Sequence, residues 1–255
     1  METRKRRLEI CDSLAKLQAR AAGLFVEKVR HTLATNPYAL VALAGGSTPK
    51  GLYELLASPK FSKRIQWNKL YFFFGDERCV PPDNPESNYK MACDALLSRV
   101  PVAESNIFRF KGEIDPKAAA ESYENEIDAR FGPDSRFDLV LLGMGADGHT
   151  ASLFPGSAAL RVRSKKAVAI RPRHLKTWRL TMTLPVFNSA RNVIFLVAGK
   201  EKAGAVKKVF SGSSPALPAQ MVKAGNNEVL WLLDKDAASQ LSEKTIGKFS
   251  QSPKK

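Results

Sequence analysis

The chain has 255 residues, 44% of them hydrophobic, and a net charge of +15. This length suits one large α/β domain, and 3 widely spaced cysteines argue against a disulfide framework or a thiolate zinc site. Since no apolar run approaches the roughly 20 residues of a membrane helix and no signal-peptide core is present, we expect a cytoplasmic protein with no membrane partner.

Helical and strand-like segments alternate through the first part of the chain. Alternation of this kind is typical of βαβ units around a largely parallel sheet. The predicted elements are an amphipathic helix at 9–33, a strand at 39–44, a helix at 49–57, a strand at 70–74, and two helices capped by Ser87 and Asp115 that run to about residues 97 and 130.

A loop rich in glycine and hydroxyl groups follows the strand at 39–44. Gly45 and Gly46 allow the backbone to approach an anion closely, and Ser47 and Thr48 add hydroxyl donors before the next helix. The loop lacks the Gly-Lys-Ser/Thr ending of a nucleotide P-loop. It therefore predicts a phosphate site without magnesium-nucleotide chemistry, the alternative being an ordinary turn with a hydroxyl cap.

Charged residues follow the strand at 70–74. If they face a ligand cleft, Arg78 can bind a phosphate or a carbonyl oxygen, and Asp76 can accept a hydrogen bond from a sugar hydroxyl. The alternative is a surface turn with a local ion pair of little energetic value.

The second half of the chain continues the alternation. The predicted elements are strands at 137–142, 167–171, 178–183, 192–197 and 228–233, a helix at 200–210 and a short helix from near Asp234. The polar, basic residues 242–255 predict a flexible tail.

The loop after the strand at 137–142 carries the residues best suited to proton transfer. Asp147 and His149 lie two positions apart in a glycine-rich turn, at a strand end where open α/β sheets bind ligands. Histidine suits a general base at neutral pH, and Asp147 can orient its ring. With only His31 and His174 elsewhere, a histidine zinc site is not expected.

The same loop also fits the glycine spacing of a dinucleotide-binding fingerprint. That interpretation needs an acidic residue about 20 positions later, and none occurs before Glu201. From His149 to Lys200 there are ten lysines and arginines and no acid. Such a field attracts a small phosphorylated anion, which we expect as the ligand in preference to nucleic acid.

In order along the chain, these loops resemble the 6-phosphogluconolactonase family. The resemblance includes an Arg-x-Thr segment at Arg179 and a Gly-x-x-Lys segment ending at Lys202, and it spans nearly the whole chain. It implies a Rossmann-like fold shared with glucosamine-6-phosphate deaminase and ribose-5-phosphate isomerase. It also implies hydrolysis of 6-phospho-D-glucono-1,5-lactone in the pentose phosphate pathway, with no cofactor.

The resemblance assigns roles to individual residues. It makes His149 the base that activates water and Asp147 its carboxylate partner. Contacts with phosphate or substrate are implied for Gly45, Gly46, Ser47, Thr48, Asp76, Arg78, Arg179 and Lys202. Residues 172–178 depart from the proline-rich segment of the family, so we expect the loop before Arg179 to have a different shape.

Two alternatives stay open at this point. A phosphosugar isomerase or deaminase of the glucosamine-6-phosphate type would need a further carboxylate soon after the histidine, and residues 150–155 contain none. A non-catalytic phosphosugar sensor would need a DNA-reading domain, for which the residues before 39 are too few. We expect a single domain over 1–255, with a small additional lobe possible, that acts as a monomer or small homo-oligomer.

Overall fold

The computed structural model describes residues 6–172, 175–212, 215–223 and 228–250. Its strands are β1 (Arg6–Cys11), β2 (Ala39–Leu43), β3 (Leu70–Phe74), β4 (Asp76–Arg78), β5 (Leu139–Leu142), β6 (Ala167–Ile170), β7 (Arg179–Met182), β8 (Val193–Val197) and β9 (Val229–Asp234). Its α-helices are α1 (Leu14–Leu33), α2 (Ser47–Ala57), α3 (Pro59–Ser62), α4 (Asn88–Ala95), α5 (Pro116–Phe131), α6 (Leu184–Ser189), α7 (Ala203–Ser211), α8 (Pro218–Met221), α9 (Lys235–Ala238) and α10 (Glu243–Ser250).

Six parallel strands form the main sheet, in the order β1-β9-β8-β5-β2-β3. Every residue of β2, β5 and β8 is buried, as expected where helices cover both faces of a parallel sheet. These apolar runs made the strands visible in the sequence. The predicted α/β fold with a largely parallel sheet is confirmed.

A second, three-stranded antiparallel sheet has the order β4-β7-β6. It corresponds to the small additional lobe that the sequence allowed. Strand β4 was not predicted, because its three residues are all charged. It forms because it pairs with β7, with Asp76 opposite Thr181 and Arg78 opposite Arg179.

The start of the predicted helix at 9–33 is wrong. Residues Arg6–Cys11 form β1, an edge strand on β9, and the helix begins at Leu14 after the Ser13 side chain accepts a hydrogen bond from the Lys16 amide. Leu8 is 1% exposed, whereas its neighbours in the strand are half-buried. A half-buried edge strand lacks the apolar run that marks a central one.

The predicted flexible tail also needs correction over its first part. Glu243–Ser250 form α10, and the Phe249 ring packs edge-on against Phe210 of α7, with ring centroids 5.1 Å apart. This aromatic contact with a half-buried Phe249 packs an otherwise polar helix against α7, which the sequence alone does not reveal. Residues 251–255 lie outside the described part of the chain, as do Arg173 and His174.

The helix caps agree with the sequence. The Ser87 hydroxyl accepts from the Lys90 amide, and the Asp115 carboxylate accepts from the first-turn amides of α5. Helix α4 ends at Ala95 rather than at 97, where a 3-10 turn replaces it. No helix in the described ranges is long and apolar enough to cross a bilayer.

Candidate active site

A cleft of about 230 Å³ opens at the carboxyl ends of the central strands. It is lined by loops that follow β2, β5 and β8 and by β4 of the small sheet. Most of the residues singled out from the sequence line it together, namely Gly45, Gly46, Ser47, Thr48, Asp76, Arg78, His149 and Lys202. Asp147 and Arg179 do not line this cleft directly.

The glycine loop joins β2 to the N-terminus of α2. The Tyr53 hydroxyl bonds both the amide and the carbonyl of Ala44, at 2.9 and 2.8 Å, and so fixes the strand end. Gly46 has φ +101°, a conformation that favours glycine. Helix α2 starts at Ser47, two residues earlier than predicted, so its free first-turn amides lie at the cleft and suit an anion.

Asp147 and His149 form a hydrogen-bonded pair. The Asp147 Oδ1 atom lies 2.6 Å from His149 Nδ1 and also accepts the His149 backbone amide at 3.1 Å. Partial burial raises the pKa of Asp147, but the hydrogen bonds and charge of His149 outweigh it and the net pKa is lowered. An ionised carboxylate only accepts, so Nδ1 is the donor in this hydrogen bond, and in the neutral form of the ring the lone pair is then on Nε2.

The turn around His149 is held by its own backbone. The Gly145 amide donates to the His149 carbonyl at 2.9 Å, and the Thr150 hydroxyl donates to the Gly143 carbonyl at 2.8 Å. A side chain at Gly145 would place its Cβ 2.2 Å from the His149 ring. The Phe154 ring also packs against this imidazole, with ring centroids 4.6 Å apart. The imidazole is therefore in close contact with both Gly145 and Phe154.

Asp76 is fixed from two sides. The Ser152 hydroxyl donates to the Asp76 Oδ2 atom at 2.8 Å. The side-chain amide of Asn88 donates to the Asp76 Oδ1 atom at 3.2 Å and to the Asp76 backbone carbonyl at 2.9 Å. Desolvation raises the pKa of Asp76, and the hydrogen bond from Ser152 and the charge of Arg78 partly oppose that rise. A carboxylate oriented in this way can accept hydroxyl hydrogen bonds in a defined direction.

The cationic residues separate into two groups. Arg78 and Lys202 line the cleft, whereas Arg179 lies outside that lining. Arg179 donates through Nη1 to the Thr177 hydroxyl at 2.7 Å. In the antiparallel pairing of β7 with β4, it lies opposite Arg78. Partial burial, and then the like charge of Arg78, lower the pKa of Arg179.

Three residues that support the site were not picked out from the sequence. Asn88 and Ser152 orient Asp76, and Asn88 also lies so close to Gly45 that a Cβ there would be 2.0 Å from its Oδ1. Glu77, 2% exposed, accepts the backbone amides of Arg78, Asn88 and Tyr89 at 2.7 to 2.8 Å. Burial raises the pKa of Glu77, and those amides oppose the rise. All three lie in segments that resemble the family, although the resemblance assigned them no role, and the Ser87 cap places Asn88 at a helix start.

Comparison with known proteins identifies the family. The family model described as glucosamine-6-phosphate isomerases/6-phosphogluconolactonase matches residues 12–231. The chain belongs to this family. A 6-phosphogluconolactonase from Nostoc sp. is 38% identical over 245 residues, which cover 93% of this chain and 99% of the relative.

Solved structures agree with this family and its fold. A 6-phosphogluconolactonase from Trypanosoma cruzi is 34% identical, with a TM-score of 0.84 over 94% of this chain and 98% of that one. A monomeric glucosamine-6-phosphate deaminase is 25% identical, with a TM-score of 0.78 over 92% of this chain and 100% of that one. The same fold therefore occurs with two activities, and the residues of the cleft must distinguish them.

Proposed function

We propose that this protein hydrolyses 6-phospho-D-glucono-1,5-lactone to 6-phospho-D-gluconate in the oxidative pentose phosphate pathway. The observation that carries the proposal is His149, which is hydrogen-bonded to Asp147 and lines the same cleft as the glycine loop and Lys202. The substrate joins an electrophilic carbonyl to a phosphate. A base and an anion site in one cleft match those two ends.

In the proposed mechanism, His149 Nε2 removes a proton from water as the water oxygen bonds to lactone C1. The carbonyl electrons move to oxygen and form a tetrahedral oxyanion. The oxyanion then collapses, the bond from C1 to the ring oxygen breaks, and His149 returns its proton to that oxygen. Asp147 holds the ring in the required tautomer and stabilises the transient imidazolium, as its hydrogen bond to Nδ1 supports. The product acid releases a proton to solvent.

Phosphate anchoring supplies orientation in this proposal. The first-turn amides of α2, the hydroxyls of Ser47 and Thr48, and the Lys202 ammonium would bind the phosphate, with Arg78 contacting phosphate or the lactone oxygen. A fixed phosphate places C1 beside His149, so remote binding energy lowers the barrier. Because a lactone carbonyl is already electrophilic, one positioned base suffices, and the reaction as written uses neither a covalent nucleophile nor a cofactor.

The finer assignments are also proposals. Asp76 would accept a sugar hydroxyl, and its two supporting hydrogen bonds favour that role. Cys11, Cys79 and Cys93 all lie in the described part of the chain and are free, which fits the cytoplasm as the proposed compartment. We further propose a small-molecule partner only, and a monomer or small homo-oligomer.

The test is hydrolysis of freshly generated 6-phosphogluconolactone, coupled to 6-phosphogluconate dehydrogenase, with the spontaneous rate subtracted. We expect acceleration by the wild type and loss of most turnover in His149→Ala, with little change in the affinity for 6-phosphogluconate. His31→Ala, which removes an exposed histidine at the end of α1, is the matched control and should retain turnover. A folded wild type without activity would contradict the proposal, and deamination of glucosamine 6-phosphate would be assayed next.

A further inference from the structure

Asp234 is a buried carboxylate that the proposed reaction does not use. It ends β9, is 7% exposed, and accepts the backbone amide of Gly199 on both of its oxygens, each at 3.1 Å. Its Oδ1 also accepts the Ala237 amide at 2.8 Å and so caps α9. A buried charge is tolerated when such donors surround it. Asp234 therefore joins β9, α9 and the loop after β8 at one point.

Gly199 begins the turn that carries Lys202. Strands β8 and β9 are parallel neighbours, with Val197 opposite Leu233, so both chains leave the sheet at the same edge. Gly199 has φ +101°, and its carbonyl accepts the Lys202 amide at 3.1 Å, which closes the 3-10 turn Lys200–Lys202. The hydrogen bonds from the Gly199 amide to the Asp234 carboxylate therefore fix the position of this turn relative to the sheet.

Lys202 lines the same cleft as the glycine loop. The turn with Lys202 follows β8 and the glycine loop follows β2, and these two strands flank β5 in the sheet. A lysine ammonium is a point charge on a flexible stem, so its mean position depends on where the backbone below it is held. The nearby Glu201 carboxylate is 3.9 Å from the Lys202 Nζ and side-chain exposure of Glu201 is 64%, which makes it a weak competitor for the ammonium. Backbone placement is then the main structural control over where Lys202 meets an anion.

We propose that Asp234 is a positioning residue for phosphate binding. Through the Gly199 amide it holds the Lys200–Lys202 turn where the Lys202 ammonium meets the phosphate monoester of the ligand. The inference rests on the proposed function, because that function gives Lys202 a phosphate to bind. It assigns part of the substrate affinity to a carboxylate that does not line the cleft.

The experiment is a double-mutant cycle between Asp234 and Lys202. Calorimetry measures the Kd of 6-phosphogluconate, and the coupled assay measures KM and kcat for the lactone. In Asp234→Ala we expect Kd and KM to rise about fivefold with kcat within about twofold, since the lost contact acts on ground and transition states alike. In a Lys202→Ala background the same change should add less than about twofold, because the two residues act as one unit.

Two controls separate positioning from loss of the fold. Asp234→Asn keeps one oxygen to accept the Gly199 amide, so it should restore most of the affinity. If Asp234→Ala fails to fold, Asp234→Ser takes its place, because the serine hydroxyl can still cap α9 but its shorter side chain does not reach the Gly199 amide. Asp115→Ala removes an aspartate cap from α5, where Asp115 accepts two amides at 3.0 and 3.1 Å, and should leave Kd unchanged. Hydrolysis of unphosphorylated gluconolactone should not respond to Asp234→Ala.

The outcomes distinguish this inference from the proposed function. Wild-type affinity in Asp234→Ala, or in Asp234→Ser where it takes its place, would overturn the inference, and so would a fivefold loss that persists in the Lys202→Ala background. A wild type that hydrolyses the lactone with no coupling between the two residues refutes the inference alone. A wild type that does not hydrolyse the lactone, but whose 6-phosphogluconate affinity shows the coupling, refutes the proposed function alone.

Discussion

Gly145→Ala is expected to impair catalysis without unfolding the protein. The added Cβ would lie 2.2 Å from both Nδ1 and Cε1 of the His149 ring and 2.7 Å from Asp147 Oδ1. Cβ contacts below 3.0 Å are essentially never found, so the ring must retreat by about 1.2 Å to reach an ordinary contact of 3.4 Å. The same Cβ also crowds the Asp147 oxygen that accepts from Nδ1, so the displacement disrupts the 2.6 Å hydrogen bond between the two side chains.

A misplacement of about 1 Å at a reacting group costs roughly a hundredfold in rate, so we expect kcat in Gly145→Ala to fall by about that factor. KM for the lactone should change little, because the glycine loop and Lys202 are untouched. Gly23→Ala is the matched control, since a Cβ there meets nothing within 4 Å in the interior of α1, and it should keep wild-type turnover. The coupled assay and thermal unfolding check both variants. Wild-type kcat in Gly145→Ala would refute the argument that the close contact with Gly145 sets the position of the His149 ring.

Three further results are expected. Arg78→Ala should raise KM about tenfold and Arg179→Ala less than about threefold, because only Arg78 lines the cleft; equal KM values would contradict this order. Glu77→Gln should lower the free energy of unfolding by about 2–3 kcal/mol, measured by urea denaturation, because an amide nitrogen would face buried amide donors. Partial burial raises the pKa of Glu9, but hydrogen bonds from two arginines outweigh it and the net pKa is lowered. A carboxyl group with a lowered pKa in the folded state contributes stability that is fully present above its ordinary pKa of 4.5 and is lost as the pH falls through the folded-state pKa. Glu9→Gln should therefore lose less stability than the wild type between pH 6 and pH 3. An identical loss in both proteins would refute this contribution.

The secondary-structure elements that could be predicted are those whose own residues carry the signal. Strands β2, β5 and β8 are continuous apolar runs, because both faces of a central parallel strand are buried. Strands β1 and β4 escaped prediction because one lies at the sheet edge and the other consists of charged residues, so pairing with distant partners decides both. Secondary structure set by long-range pairing has little local signal.

The same division applies to the cleft. The glycine loop and the Asp147–His149 turn were predictable, because glycine, hydroxyl and imidazole groups follow apolar strands directly. The support of Asp76 by Ser152 spans 76 positions of the chain, and no periodicity connects them. Arg179 lies opposite Arg78 in the antiparallel pairing of β7 with β4, a long-range contact that the spacing of its motif cannot express. Resemblance identified the residues, and tertiary contacts determine their geometry.

The order of strands in the main sheet has a consequence for folding. The cleft gathers loops after β2, β5 and β8, which lie side by side although roughly fifty to a hundred residues separate them in the chain. Such non-local parallel pairings close slowly, and a chain that has formed only one βα unit holds a fragment of the cleft. Recovery of activity should therefore coincide, during refolding, with docking of the last central strand. Trp231 of β9, stacked on Phe195 of β8 at 3.9 Å, provides a fluorescent reporter of that event. The return of catalytic activity during refolding therefore reports when the main sheet is complete.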